Sequence, residues 1–246
     1  MKLETAIRLD AEPGNTNKVK VYQDHNYRYM VIDDCLQGYS FARNPSIPVS
    51  KYIRCLMYAT SFVENGSALC IGLGPGLLHS ELAKSGYDVL SVEKNKDVYD
   101  KAVKYFDFDE GFHVETYDAI NFVPKAKFDM VFLDAFDGHT PATDLYNREF
   151  FNRVKSWLTP SGIFAMNIVS TIASDSGDEW IRVDKELSLS AFRNHDRKFY
   201  ICQANTKANV LAFVGNPYLG YEDNNNQSEE VKSMLRNKLE RDYYND

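Results

Sequence analysis

The sequence lacks the features that mark several large classes of protein. Of its 246 residues, 28 are Lys or Arg and 35 are Asp or Glu, which gives a formal net charge of −7, and no basic run occurs. Proteins that bind nucleic-acid backbones use such runs to displace counterions. The sequence also has no apolar stretch of the roughly 18 to 20 residues that cross a bilayer, and no apolar signal-peptide core near its start. We therefore expect a cytoplasmic protein that binds neither nucleic acid nor membrane.

Cysteine and histidine are scarce as well. The four cysteines form neither a CxxC pair nor the framework of a small disulfide-rich protein, so reduced thiols are expected at Cys35, Cys55, Cys70 and Cys202. The five histidines form no HxH or HxxxH pair. A histidine-based metal site would need distant residues to converge, and we expect no metal.

The first 48 residues carry strand patterns. Two runs with period-two alternation, KVKVYQD at 18–24 and YRYMVIDD at 27–34, predict a β-hairpin. Two prolines follow, and Ser50 is placed to cap a helix through KYIRCLMYATSFV at 51–63. We interpret residues 1–48 as a small N-terminal β domain.

From residue 67 onward, short apolar runs alternate with amphipathic segments. This alternation is typical of a parallel sheet with crossover helices, and it predicts an α/β fold. Two later runs, KFYICQA and NVLAFVG, are joined by too few residues for a crossover, which predicts that the last strand is reversed. We assign this second domain to residues 49–220 and interpret residues 221–246 as a polar tail or terminal helix.

A glycine-rich turn follows the strand SALCIGL. Gly72, Gly74 and Gly76 stand between this strand and the next helix, where the backbone can approach a ligand closely. A dinucleotide loop would place its third glycine at position 77, which is Leu77, so nicotinamide and flavin cofactors are disfavoured. The spacing indicates a cofactor loop, with a glycine-rich turn that holds no ligand as the alternative.

Acidic residues end the next two strands. Glu93 ends the strand after the glycines, where a carboxylate can accept hydrogen bonds from two ribose hydroxyls. Asp118 and Ala119 end the following strand, where an acid and a small residue can hold an adenine amino group. Together with the glycines they predict a nucleoside site, with a surface acid at a strand end as the alternative for Glu93.

Two carboxylates, Asp134 and Asp137, end the fourth strand. At one sheet edge such a pair can divide labour, because one carboxylate can act as a base while the other holds a cationic substrate. The alternative is a helix cap and a ligand-binding acid without catalysis. Tyr39 and Tyr146 are further candidates to line the substrate pocket.

From Tyr29 to Asn167 the sequence resembles the spermidine/spermine synthases, which are aminopropyltransferases. The resemblance is carried by IDDCLQG, the glycine loop, VEK, YDA and above all LDAFDGHTPATDLYNREFF. It implies a Rossmann-like S-adenosylmethionine-dependent methyltransferase fold, with a mostly parallel seven-stranded sheet behind a small β-hairpin domain. It also implies transfer of an aminopropyl or related alkyl group, from decarboxylated S-adenosylmethionine or S-adenosylmethionine, to a small-molecule amine. A homodimer is common in that family.

The resemblance implies a role for each matching residue. Asp134 would be the base for the attacking amine, and Asp137 would help to hold that amine. The donor would be bound by Gln37 at its nucleoside or thioether part, by Gly72, Gly74 and Gly76 behind it, by Glu93 at the ribose, and by Asp118 with Ala119 at the adenine.

The sequence departs from the family pattern in two places. Pro75 stands where the family's loop has an aspartate that helps neutralise the donor's ammonium group, and the segment after Gln37 lacks the family's acidic pair and Tyr-His-Glu residues. Arg43 lies there instead, and it could pair with a carboxylate on donor or acceptor. A methyltransferase and a non-catalytic nucleoside-binding protein therefore remain open alternatives.

Overall fold

Two β-sheets organise the chain. The structure is a computed structural model that describes residues 6–11, 18–137, 140–169, 178–192, 197–202 and 209–215. The first sheet is antiparallel, with its five strands in sequence order. They are β1 (Ile7–Arg8), β2 (Val19–Gln23), β3 (Tyr27–Ile32), β4 (Cys35–Phe41) and β5 (Asn44–Pro48).

The β2–β3 pair is the hairpin that the sequence predicts. Val19 pairs with Ile32 in an antiparallel register. A two-residue turn, Asp33–Asp34, joins β3 to β4, and both residues have positive φ values of 46° and 64°. Such two-residue turns require positive φ because their twist then matches that of the strands.

The segment between the sheets is more irregular than predicted. Helix α1 (Lys51–Leu56) passes into a 3₁₀ turn (Met57–Phe62), so the expectation of one helix over 51–63 is only partly met. The Val63 amide donates to the Thr60 carbonyl over 3.4 Å, a backbone bond to the third preceding residue that is typical of a 3₁₀ turn. Ser50 precedes α1, but its side chain makes no capping hydrogen bond.

The second sheet has seven strands, and the helices after α1 connect them or pack beside them. Its strands are β6 (Ser67–Ile71), β7 (Asp88–Glu93), β8 (His113–Thr116), β9 (Phe128–Leu133), β12 (Leu158–Val169), β13 (Arg197–Cys202) and β14 (Asn209–Gly215). The helices are α2 (Leu77–Lys84), α3 (Lys96–Phe106), α4 (Arg148–Trp157) and α5 (Asp178–Leu189). Between β9 and α4 lie a small hairpin, β10 (Phe136–Asp137) with β11 (Thr140–Pro141), and a 3₁₀ turn (Thr143–Leu145).

The order across this sheet is β13-β14-β12-β9-β6-β7-β8. Strands β8, β7, β6, β9 and β12 pair in parallel, whereas β14 pairs antiparallel with both β12 and β13. The prediction of a mostly parallel seven-stranded sheet with a reversed last strand is confirmed. The reversed strand lies inside the sheet, between β12 and β13.

The two sheets are joined through α3. Val21 and Met30 pack in one apolar cluster with Val98 and Phe106. Beside this cluster the buried Asp10 carboxylate accepts from Lys101 over 2.5 Å, and Arg8 lies 2.9 Å away. Burial alone would raise the pKa of Asp10, but hydrogen bonds from Arg8, Lys101 and the Val21 amide lower it to about 2.

Within the described ranges no helix combines the length and the apolar character that a membrane crossing needs. Cys35, Cys55 and Cys70 are free thiols, as expected. The side chain of Cys202 and the tail at 221–246 lie outside the described residues.

Candidate active site at the carboxyl edge of the parallel sheet

A cavity of about 690 Å³ lies over the carboxyl ends of β6, β7, β8 and β9. Ligands of open α/β sheets bind at this edge, because the loops there diverge and leave a crevice. The candidate residues that line the cavity are Gln37, Gly72, Gly74, Glu93, Asp118, Ala119 and Asp134. Further lining residues with polar groups are Lys18, Asp33, Tyr52, Cys70, His79, Ser91, Lys94, Asn95, Tyr117 and Asp144.

The glycine loop is shaped by close approaches. Gly72 has a φ of +90°, and a Cβ built there would lie 2.3 Å from the Asp134 carbonyl oxygen. Gly76 has a φ of +80°, and its Cβ would lie 2.2 Å from the Phe108 ring. Gly76 precedes α2 and does not line the cavity. Its glycine is therefore explained by packing at the start of the helix.

Glu93 is held by the backbone on both of its oxygens. Oε2 accepts from the Leu73 amide over 3.0 Å, and Oε1 accepts from the Asn95 amide over 2.9 Å. Burial raises the pKa of this carboxyl, while the two amides oppose that rise. The amides fix the carboxylate in one orientation at the end of β7.

Asp118 and Ala119 follow β8 at the same edge. The exposed Asp118 accepts from the Ile120 amide over 3.0 Å, and Ala119 is buried. Both line the cavity. The structure thus brings the glycine loop, Glu93 and this pair to one crevice, as the strand-end pattern predicts.

Asp134 accepts hydrogen bonds from two side chains that were not among the candidates from the sequence. The Asn167 amide nitrogen donates to Oδ1 over 2.9 Å, and the Tyr52 hydroxyl is a second hydrogen-bond partner. Burial raises the pKa of Asp134, and these two partners limit the rise. Burial, together with Asp134, also raises the pKa of Tyr52 well above its usual range, so this phenol stays protonated and able to donate.

Asn167 could have been found from the topology, whereas Tyr52 could not. Asn167 lies on β12, which neighbours β9 in parallel, so its side chain belongs to the same edge as Asp134. Tyr52 reaches the carboxylate from α1, an element with no motif in its sequence.

The two tyrosine candidates, Tyr39 and Tyr146, pack against other residues near the cavity. Tyr146 is fully buried, and its hydroxyl donates to the Asn167 carbonyl over 2.7 Å. Tyr39 stacks on Tyr29 in the N-terminal sheet, with ring centroids 5.9 Å apart. Neither lines the cavity. Tyr146 instead supports the residue that holds Asp134.

Asp137 and Arg43 are the remaining candidates from the sequence. The backbone of Asp137 lies in β10, but its side chain is outside the described part of the chain. Asp144, which was not singled out, lines the cavity with an exposed carboxylate. Arg43 lies exposed in the turn between β4 and β5 and does not line the cavity, so nothing supports its pairing with a ligand carboxylate.

Strand β4 covers the glycine loop. A Cβ on Gly38 would lie 2.8 Å from the Pro75 ring, and a Cβ on Gly74 would lie 3.6 Å from the Gln37 carbonyl oxygen. Pro75 therefore contacts the N-terminal sheet as well as lining the cavity. Both sheets build the site.

A buried polar group supports the floor of the cavity. His79 Nδ1 lies 2.7 Å from the Ser91 hydroxyl, which also bonds to the Cys70 thiol. Burial, and to a lesser degree His113, lowers the pKa of His79 to about 4. Burial raises the pKa of Cys70 to about 12, so the thiol stays protonated. Across the described residues, no three His, Cys, Asp or Glu side chains are grouped as metal ligands.

The sequence is similar to known proteins of two kinds. A profile of the spermine/spermidine synthase domain matches residues 59–189. A probable polyamine aminopropyl transferase of Bifidobacterium longum is 26% identical over 191 residues, which cover 75% of this chain and 42% of the relative. An N-terminal histidine N-methyltransferase of Emericella nidulans is 30% identical over 128 residues, 49% of this chain and 23% of the relative. The chain thus spans less than half the length of these relatives.

Solved structures share the fold. The crystal structure of a probable spermidine synthase from Corynebacterium glutamicum superimposes with a TM-score of 0.66, at 14% identity, over 88% of this chain and 83% of that one. At this identity the likeness concerns the fold alone, which is the Rossmann-like fold that methyltransferases also adopt.

Proposed function

The chain belongs to the spermine/spermidine synthase family, and we propose that it is a transferase that moves an aminopropyl or related alkyl group to an amine. The donor is decarboxylated S-adenosylmethionine or S-adenosylmethionine, and Asp134 is the base. The acceptor is a small-molecule amine. The curated aminopropyl transferase relative supports this proposal, although it extends well beyond the matched part of this chain.

One observation carries the proposal: the carboxylate of Asp134, oriented by Asn167 and Tyr52 beside the glycine loop. Both partners donate to it, so they favour the charged form, while burial increases its affinity for a proton. A base must be charged before the reaction and must hold a proton afterwards. This environment meets both requirements.

The reaction balances without a further reactant. The amine nitrogen loses a proton to Asp134 and attacks the carbon beside the donor sulfonium. A nitrogen–carbon bond forms, the carbon–sulfur bond breaks with its electron pair on sulfur, and neutral 5′-methylthioadenosine leaves. Most of the rate acceleration would come from holding the two reactants in line and from removing the proton.

The charge of the cavity favours cationic reactants. Among the described lining residues are the five carboxyl groups of Asp33, Glu93, Asp118, Asp134 and Asp144, against the lysines Lys18 and Lys94. The decarboxylated donor carries a sulfonium and an ammonium, whereas the intact donor adds a carboxylate. Like charges disfavour that carboxylate, so this composition supports the decarboxylated donor.

The remaining assignments are part of the same proposal. Gln37, Gly72 and Gly74 line the donor tail and thioether, Glu93 binds the ribose, and Asp118 with Ala119 binds the adenine. The division into domains at 1–48 and 49–220, the homodimer and the cytoplasmic location stay predictions.

The test is product analysis on the purified protein. Decarboxylated S-adenosylmethionine is supplied with a panel of diamines and polyamines, and release of 5′-methylthioadenosine is measured. Asp134→Asn should lower kcat/KM by roughly 10²- to 10⁴-fold, because it removes a general base. Asp100→Asn is the matched control, since it removes an exposed α3 carboxylate that pairs with Lys96. No 5′-methylthioadenosine with any amine would refute the aminopropyl assignment.

A methyltransferase is the second candidate, because one curated relative is an N-terminal histidine N-methyltransferase. The same assay with intact S-adenosylmethionine separates the two reactions. Methyl transfer yields S-adenosylhomocysteine, whereas transfer of the three-carbon chain yields 5′-methylthioadenosine. Tight nucleoside binding with no product from either donor would indicate a non-catalytic binding protein.

A further inference from the structure

We propose that Asp33, in the turn between β3 and β4, is a ligand of the donor nucleoside, with Lys18 orienting its carboxylate. The nucleoside would then lie between two walls, one from the parallel sheet and one from the N-terminal sheet. This inference rests on the proposed function and assigns it a further binding residue.

The packing places Asp33 at the Glu93 end of the cavity. Ile32, the residue before it, packs in one cluster with Leu73 and Val98. The Leu73 amide donates to Glu93, and Val98 lies in the first turn of α3, directly after the Glu93 strand. Ile32, Asp33 and Lys18 all line the cavity.

Asp134, the proposed catalytic base, lies toward the other side of the glycine loop. Asp134 approaches Gly72, the first glycine, through its backbone carbonyl. Leu73, the next residue, turns toward Glu93 and the N-terminal sheet. A donor whose reacting carbon is at Asp134 therefore presents its ribose and adenine, and not its amino tail, to Asp33.

The turn that carries Asp33 is strained. Asp33 and Asp34 both have left-handed backbone conformations, with φ values of 46° and 64°. Asn-Gly and Asp-Gly are the usual sequences for such turns, because Asn, Asp and Gly adopt this region most readily. Asp34 stands where Gly is usual, and backbone of this kind is concentrated at functional sites.

The ion pair with Lys18 leaves Asp33 available to a ligand. Lys18 Nζ lies 3.4 Å from Asp33 Oδ2, and the two side chains are 75% and 51% exposed. A pair this exposed is weak, and one lysine satisfies only part of the roughly four acceptor sites of a carboxylate. Ribose hydroxyls and the adenine amino group are donors that such a carboxylate accepts from.

The same turn supplies a matched control. Lys20 Nζ lies 3.3 Å from Asp34 Oδ1, so the neighbouring residues form a second Lys–Asp ion pair. Neither Lys20 nor Asp34 lines the cavity. Lys18 directly precedes β2 and Lys20 lies in it, and both aspartates lie in the same turn. The two pairs differ in access to the cavity.

The experiment is calorimetric binding of 5′-methylthioadenosine to the full chain. Asp33→Asn should weaken binding roughly tenfold, equivalent to about 1.4 kcal/mol, because it removes a charged acceptor. Asp34→Asn should stay within about twofold, and Lys18→Met should weaken binding about two- to threefold while Lys20→Met has no effect. Asparagine tolerates the left-handed region, so both turn variants should fold.

Deoxy analogues identify the group that Asp33 contacts. If the contact is a ribose hydroxyl, the 2′-deoxy or 3′-deoxy analogue should be insensitive to Asp33→Asn. If both analogues keep the tenfold loss, the contact is the adenine amino group, which also supports the proposal. Equal effects of Asp33→Asn and Asp34→Asn, or no effect of either, would overturn it.

Failure of this inference is distinguishable from failure of the proposed function. If the wild-type chain binds no 5′-methylthioadenosine, the proposed function fails first. If the wild-type chain binds it and turns over donor while Asp33→Asn does the same with unchanged affinity, only the role of Asp33 is wrong. Thermal unfolding of all four variants separates a ligand effect from a loss of folded protein.

Discussion

Acidification should destabilise the protein through His79. This side chain is 2% exposed, and its ring packs against Phe108 and Phe112 with centroid distances of 5.1 and 4.8 Å. Its Nδ1 lies 2.7 Å from the Ser91 hydroxyl. The folded chain therefore holds the imidazole neutral, and charging it would place a cation among apolar rings at the start of α2.

The magnitude follows from the two pKa values. Burial lowers the pKa of His79 to about 4 from the ordinary 6.5, so the unfolded chain takes up this proton first. The stabilisation is fully present above about pH 6.5 and is lost as the pH falls toward 4. A difference of about 2.5 pKa units corresponds to about 3 kcal/mol.

Urea unfolding of the wild type and of His79→Gln, between about pH 7 and about pH 4.5, measures this loss. Glutamine keeps a polar group near Ser91 but cannot be charged. The free energy of unfolding of the wild type should therefore fall by about 2 to 3 kcal/mol more than that of the variant. His25→Gln is the control, because His25 is exposed. Parallel losses in wild type and His79→Gln would refute the reasoning.

Three further predictions concern the loop, the base and the contact between the sheets. Gly72→Ala should lower kcat/KM by roughly 10²-fold in the product assay, because its Cβ would displace the Asp134 backbone. Asn167→Leu should raise the pKa of Asp134, because it removes a hydrogen-bond donor, and should move the acid limb of the kcat/KM profile to higher pH. An unmoved limb would show that Asn167 does not set the pKa of the group that limits kcat/KM. Asp10→Asn should lower the free energy of unfolding by about 3 kcal/mol in urea titrations at neutral pH, because Lys101 loses its buried partner.

The positions of the glycine loop and of Glu93 could be predicted because they depend on backbone geometry. Parallel strands deliver their carboxyl ends to one edge, so the glycine loop and Glu93 were placed by strand order alone. Their chemistry is local as well: Glu93 is oriented by amides within its own strand end and the loop. A short sequence window contains all the information that such contacts need.

Other parts could not be predicted, because they depend on packing between distant elements. Tyr39 and Tyr146 were reasonable candidates by position, yet stacking and burial take their side chains away from the cavity. The position of Asp33 at the cavity follows from how the N-terminal sheet packs on α3, which no local sequence pattern reports. The helix after Ser50 likewise changes to 3₁₀ geometry at Met57, which apolar periodicity does not report.

The choice between Asp134 and Asp137 shows why a catalytic base is harder to identify than a binding site. Both carboxylates follow β9, and their spacing alone does not indicate which of them is the base. Asp134 is the better candidate because two side chains donate hydrogen bonds to it. Asn167 comes from β12, which lies beside β9, and Tyr52 comes from α1, which precedes the parallel sheet in the chain. A carboxylate without these donors would be protonated once buried, and an exposed one would hold the amine's proton too weakly. The proton affinity of Asp134 therefore depends on three elements packed together.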